Sequence, residues 1–284
     1  MAEIYYKLDT DNKLIYYCNE QKEGYIERPL GYDSSLNVND SNQRYNIIVE
    51  LTNGKFKFRP DSSYLFSKCN NTSFNDMDKW DTSECTDMRE LFSFCLNVTS
   101  LDVSNFDVSN VTHMGSLFTY CKEVTSLDLS KWNTSNVTNM SAMFSNCSKL
   151  VELNLSSSTI PKCMTLHSMF SSCTRLETII LGSLVPNPNS DLSLVDARSM
   201  FYNCVNLTTI LLPYGTDWTT CANFVSVGMF EKCRSLPNFD ETIIDETRAN
   251  NTTLTGYFGI YDPWSEYDVY IKDNDAWVKA EVYI

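Results

Sequence analysis

One short pattern, an apolar residue joined to Phe with Cys three positions further on, recurs through the middle of the chain and constrains its fold more than anything else. It occurs at Leu65-Phe66 with Cys69, Leu91-Phe92 with Cys95, Leu117-Phe118 with Cys121 and Met143-Phe144 with Cys147. It continues at Met169-Phe170 with Cys173, Met200-Phe201 with Cys204 and Met229-Phe230 with Cys233. The phenylalanines are 26, 26, 26, 26, 31 and 29 residues apart. A short unit at fixed period cannot bury its apolar face alone, so each unit must stack on its neighbours. Stacking places equivalent residues above one another, which predicts one internal column of the seven phenylalanines and a second of the seven cysteines.

Each unit has two readable parts. Before the Phe, Val137, Met140, Met143, Phe144 and Cys147 fall at i, i+3, i+6, i+7 and i+10, a spacing that predicts a short helix or helical turn. After it, Val98 to Val103, Val124 to Leu129, Leu150 to Leu155, Leu176 to Leu181 and Leu207 to Leu212 alternate with period two and predict short strands. The expected fold class is an α/β repeat solenoid of leucine-rich-repeat type, with a short parallel β ladder, short helical turns and small flanking β-hairpins. Trp80, Phe106 and Trp132 also recur at spacing 26 and are expected to pack on one another.

The longer spacings place extra residues near Leu184 to Asp191 and Pro213 to Thr220. Prolines there cannot continue a ladder, so loops are expected, with Tyr214 and Trp218 as candidate contacts. The ends differ from the middle. Residues 1–60 lack the repeat and read as two hairpins, Ile4 to Tyr17 about Asp9-Thr-Asp-Asn12, and Tyr45 to Phe58 about Asn53-Gly54. They form a β-rich cap or attachment region before a repeat region at 61–254. Residues 255–284 are rich in aromatic and charged residues, and a hairpin is expected there between Val269-Tyr-Ile271 and Val282-Tyr-Ile284. Trp264, Tyr267 and Trp277 on this end are further binding candidates.

Composition excludes several classes of function. Aromatic residues make up 13% and hydrophobic residues 43%, enough to require a packed core. The formal charge of −14 repels nucleic acid and anionic lipid overall. The N-terminus lacks the pattern of an export signal, and no apolar run is long enough for membrane insertion. The two histidines, His113 and His167, sit at unlike positions in their units, so no catalytic set, metal site or cofactor is expected. A spacing of 26 is wrong for zinc-chelating cysteine pairs, which leaves buried free thiols as the reading of the cysteines. Acids such as Asp76 and Asp78 read as solvated loop carboxylates without a basic partner.

The segments Trp80-Asp-Thr-Ser-Glu-Cys-Thr-Asp-Met88, Phe106-Asp-Val-Ser-Asn-Val-Thr-His-Met114 and Trp132-Asn-Thr-Ser-Asn-Val-Thr-Asn-Met140 carry a resemblance. Followed by Leu/Met-Phe, they resemble the repeat of BspA-like leucine-rich-repeat surface proteins, over about residues 60–240. That resemblance implies a non-enzymatic extracellular adhesion or protein-binding module. The C-terminal end, Val269 to Ile284, is similar to short motifs near the termini of bacteriophage minor structural proteins, which reconciles a surface repeat with the missing export signal. The first reading is a virion structural or host-surface-binding component of a tail, fibre or capsid, made in host cytoplasm. Its partners are other virion proteins, a host-surface protein or glycan, or copies of itself. The alternative is a bacterial cell-surface adhesion or protein-binding protein.

Overall fold

A computed structural model describes residues 4–8, 13–18, 26–27, 44–51, 54–159, 162–183, 195–213, 224–225, 227–236, 258–261, 269–273 and 276–280. The repeat units stack through their turns. In the first unit Ser62, Tyr64, Phe66 and Lys68 donate their N–H groups to the carbonyls of Asp87, Arg89, Leu91 and Ser93 in the second unit, at 2.7–3.0 Å. The residues between bond locally: Leu65 N–H donates to Ser62 O, Ser67 to Tyr64 O and Cys69 to Phe66 O. Alternate amides therefore serve the stack and the turn, which satisfies a buried backbone without a helix. Four such bonds recur at each later junction, up to that of Ala197, Ser199, Phe201 and Asn203 with Val225, Val227, Met229 and Glu231.

This alternation requires a left-handed backbone two residues before and two residues after each phenylalanine. Tyr64 and Lys68 have φ of 62° and 59°, Glu90 and Phe94 have 55° and 58°, and Ser116 and Tyr120 have 58° and 60°. The same pair recurs at Ala142/Asn146, Ser168/Ser172, Ser199/Asn203 and Gly228/Lys232. A helix cannot pass through such positions, because left-handed residues break its hydrogen-bond ladder.

The expected phenylalanine column is present. Successive rings from Phe66 to Phe230 lie 5.2–5.9 Å apart and within 18° of parallel. All are fully buried except the last, Phe230, which is partly buried against the same core. Burying each ring contributes roughly 2–3 kcal/mol, and ring pairing adds about 0.5–1.5. The other aromatic row is less regular. Trp80 lies 6.2 Å from Phe106, while Trp132 packs on Phe118 at 6.3 Å and donates its indole N–H to Val103 O.

The strands, in chain order, are β1 (Ile4–Leu8), β2 (Lys13–Cys18), β3 (Ile26–Glu27), β4 (Asn46–Val49), β5 (Phe56–Lys57), β6 (Trp80–Asp81), β7 (Glu152–Thr159), β8 (Thr178–Ser183), β9 (Val195–Asp196), β10 (Thr209–Pro213), β11 (Phe224–Val225), β12 (Phe258–Tyr261), β13 (Val269–Asp273) and β14 (Ala276–Ala280). They form sheets of order β3-β1-β2-β4, β14-β13-β12-β10-β8-β7, β11-β9 and β5-β6.

The expected α/β repeat solenoid of leucine-rich-repeat type is corrected by this architecture. Among the described residues there is no α-helix, only the 3-10 turn Met77–Lys79, and the strands fall into separate sheets instead of one ladder. Apart from that turn, the described residues are β and turn. The helical expectation failed because a series of three-residue turns brings apolar residues back to one side about as often as a helix does. Of the five expected inner strands, only those at β7, β8 and β10 form. Leu101, Val103, Leu127 and Leu129 point inward all the same.

The ends also differ in part from expectation. The first hairpin is present, with Ile4 opposite Cys18 and Leu8 opposite Leu14. Tyr16 packs edge-on at 5.8 Å against Phe66, so this hairpin covers the first unit. The second does not form: β4 pairs in parallel with β2, and β5 pairs in parallel with β6. Gly54, at φ 75°, turns the chain from one sheet to the other. At the C-terminus β12 lies parallel to β10 and continues the sheet into the antiparallel β13–β14 hairpin. Its second strand is Ala276–Ala280, and residues 281–284 lie outside the described residues.

Candidate binding ridge

The second left-handed position of each unit lies on the rim of the turns. Read in order along the stack it holds Lys68, Phe94, Tyr120, Asn146, Ser172, Asn203 and Lys232. Polar residues suit such a position, since Asn can bond locally and Lys or Ser keeps its head in water. Two adjacent aromatic residues do not: a bulky side chain at positive φ is a backbone outlier that costs roughly 1–3 kcal/mol. The rings of Phe94 and Tyr120 stack at 4.6 Å and 11° from parallel, and both remain half-exposed.

Basic groups fringe the pair. The Lys122 ammonium lies 5.4 Å from the Tyr120 ring centre, within cation–π range. The Arg44 guanidinium donates to the Phe94 carbonyl at 2.5 Å. Lys68 precedes Phe94 in the same column. In a chain of net charge −14, Arg44, Lys68 and Lys122 thus gather beside this apolar pair. Further along, Lys232 lies over the Tyr202 ring at 4.6 Å and hydrogen-bonds its hydroxyl.

A polar row runs along the first rung of the turns. Asp61, Asp87, His113, Asn139, Thr165 and Asp196 are joined successively by parallel bridges. Their side chains fold back on their own turns: Asp87 accepts from the Arg89 N–H and pairs with its guanidinium, and Asp196 does the same with Arg198. Asp196 is held below the usual carboxylate range by Arg198 and its backbone N–H. Asn139 Nδ2 lies 3.2 Å from His113 Nε2, and burial lowers the His113 pKa. His167 is exposed beside Ser168. These contacts shape turns. Among the described residues no group of three His, Cys, Asp or Glu side chains is placed to hold a metal ion. The Asp76 carboxylate pairs with Lys79, so the expectation that it lacks a basic partner is corrected.

On the strand side a cleft of about 230 Å³ opens where the sheet begins, lined by Ser126, Leu127, Glu152, Leu153, Asn154, Thr178 and Ile180. The cysteine column is buried, and the thiols of Cys147 and Cys233 are pushed up to about 12 by burial. Such thiols are poor nucleophiles.

Tyr214, Trp218, Trp264 and Tyr267 lie outside the described residues, as do Leu184 to Asp191. Trp277 sits on β14 opposite Lys272. Sequence reasoning missed Phe94 and Tyr120. The signal was available: two residues after the repeat phenylalanine, these two units alone carry an aromatic residue where the others carry Lys, Asn or Ser.

Stacked β-turn units with a decorated rim define a repeat scaffold. Residues 61–182 match the family described as Mycoplasma protein of unknown function, DUF285, to which the chain is similar over that stretch. No curated protein and no solved structure matches the chain. No helix among the described residues is long and apolar enough to cross a membrane.

Proposed function

We propose that this protein is a non-enzymatic attachment module that binds an acidic surface glycan through the Lys68–Phe94–Tyr120 rim. The observation that carries this reading is the stacked aromatic pair held at left-handed positions that other units give to polar residues. The left-handed backbone belongs to every unit. A bulky aromatic side chain there adds strain that the polar residues of the other units avoid, and the two stacked rings stay half-exposed, which points to use beyond packing. Aromatic rings supply apolar contact, and the fringe of Arg44, Lys68 and Lys122 supplies attraction for carboxylate or sulfate groups.

The test separates binding from folding. Phe94→Asn with Tyr120→Asn installs the residue found at Asn146 and Asn203, so the double variant should melt at or above the wild-type temperature. It should lose at least tenfold in affinity for an immobilised sulfated polysaccharide, and wild-type binding should weaken with salt. Unchanged affinity in a folded double variant would refute the rim as the binding site.

Two settings have separate support. The resemblance of the repeat segments at Trp80, Phe106 and Trp132 to BspA-like surface proteins supports the bacterial cell surface. The β13–β14 hairpin at the end of the main sheet, on the segment that resembles phage structural proteins, supports a virion component in which this end assembles with neighbouring subunits. Deleting residues 266–284 should then leave a folded stack that fails to enter particles. Normal incorporation would remove the virion reading and leave the cell-surface one.

A further inference from the structure

The thiols of the cysteine column share one arrangement, with a single exception. From the second unit onward each donates to the carbonyl of the phenylalanine one unit back: Cys95 to Phe66 at 3.1 Å, Cys121 to Phe92 at 3.2 Å and Cys147 to Phe118 at 3.2 Å. Cys173 to Phe144, Cys204 to Phe170 and Cys233 to Phe201 follow at 3.1, 3.0 and 2.9 Å. Cys69 belongs to the first unit and has no such carbonyl behind it. Its thiol is directed instead at the Cys95 sulfur, 2.9 Å away.

That separation is about 0.9 Å longer than the ~2.05 Å covalent bond. The backbones carrying the two residues are one rung apart, since Phe66 and Lys68 donate to Leu91 and Ser93 at 2.9 and 2.7 Å. Neighbouring rungs lie about 4.8 Å apart, inside the ~4.4–6.8 Å span between the Cα atoms of disulfide-bonded cysteines. Little has to move for a bond to form.

We propose that Cys69 and Cys95 form a disulfide when the chain folds under oxidising conditions, stapling the first unit to the second. The first unit also carries the N-terminal cap, through the Tyr45 bridge to Cys69 and the Asn70 N–H bond to Tyr45 O. The staple therefore secures the end of the stack that has a neighbour unit on one side only. The oxidant is a low-molecular-weight disulfide such as oxidised glutathione. One protein thiolate attacks it and releases one small thiol, and the second displaces the other, so two protein thiols become one S–S bond and the oxidant becomes two thiols. Both sulfurs are fully buried in the folded chain, so the exchange takes place during folding and the finished bond is shielded from reductants.

The experiment compares full-length chain made in an oxidising compartment with chain made in a reducing cytoplasm. Free thiols are blocked under denaturing conditions and the proteins are mapped as peptides by mass spectrometry. The oxidised chain should lack two of its eleven cysteines as blocked thiols and yield a linked peptide pair containing Cys69 and Cys95. Cys69→Ser should abolish that pair without a replacement, and Cys121→Ser should retain it. The oxidised wild type should melt roughly 5–10 °C above the reduced one. Full blocking of Cys69 and Cys95 in both preparations would overturn the proposal, as would links spread along the column regardless of Cys69. The wild-type peptide map decides the matter even if a serine variant does not fold.

Discussion

The units up to Cys147 and those after it share one side and differ on the other. The turn side is the same throughout: four interunit amide bonds per junction, two left-handed residues and one stacked phenylalanine. On the opposite side the segments Leu101–Val103 and Leu127–Leu129 point inward without forming strands, whereas the equivalent later segments join in β7, β8 and β10. The residue between the two inward ones is Asp102, then Asp128, then Asn154 and Ile180, and it is exposed or half-exposed in each. Stacked carboxylates repel across adjacent rungs, and Asp has low β propensity. Asp102, Asp128 and Asn154 alike take up the next amide but one, at Ser104, Ser130 and Ser156, so this contact does not set the two regions apart. The comparison teaches that the turns hold the stack, while a sheet forms where the charge row stops.

The largest effect is expected on the shared side. Phe144→Ala should lose about 3–5 kcal/mol by leaving a cavity in the ring column, and Phe230→Ala should lose less because its ring is only partly buried at the end of the described stack. Equal losses in denaturant melts would break the picture of a column with a core and an end. On the differing side, Asp128→Val removes one member of the charge row and should slow amide hydrogen exchange between Leu127 and Lys131. Unchanged exchange there would mean that repulsion is not what keeps the strands apart. The smallest effect concerns His113, next to Asp87, Arg89 and Asn139 on the shared turn row. Burial lowers its pKa against the opposing pull of Asp87, so the unfolded chain takes up its proton first as pH falls. Its contribution is complete above the ordinary histidine pKa of about 6.5 and is lost as pH drops through that value toward the folded one. The melting temperature should fall more steeply from neutral to mildly acidic pH in wild type than in His113→Asn, and parallel curves would exclude the effect.

The stack and its two buried columns were legible in the sequence because Phe66 to Phe230 and Cys69 to Cys233 keep register. What the turn does with its backbone was not. Val137, Met140, Met143 and Phe144 return to one face at a spacing that a helix and a chain of short turns both satisfy, and left-handed residues such as Ala142 and Ser168 carry no glycine to mark them. The thiols read correctly as buried, but their donation to the phenylalanine carbonyls depends on which units become neighbours. The Asn53-Gly54 signal gave a turn without a hairpin, because β2 and β6 supply better partners for its flanking strands. The rim pair was visible as two aromatic residues in a polar column, yet its meaning depended on knowing that this column is left-handed.

Backbone scalar couplings and chemical shifts at Glu90, Phe94, Ser116 and Tyr120, measured by nuclear magnetic resonance, test the helix-free turn and the rim together. The structure predicts positive φ at all four, with negative φ at Leu91 and Leu117 between them. Uniform helical values from Met88 to Cys95 and from Met114 to Cys121 would contradict both the stacked-turn fold and the strained aromatic pair.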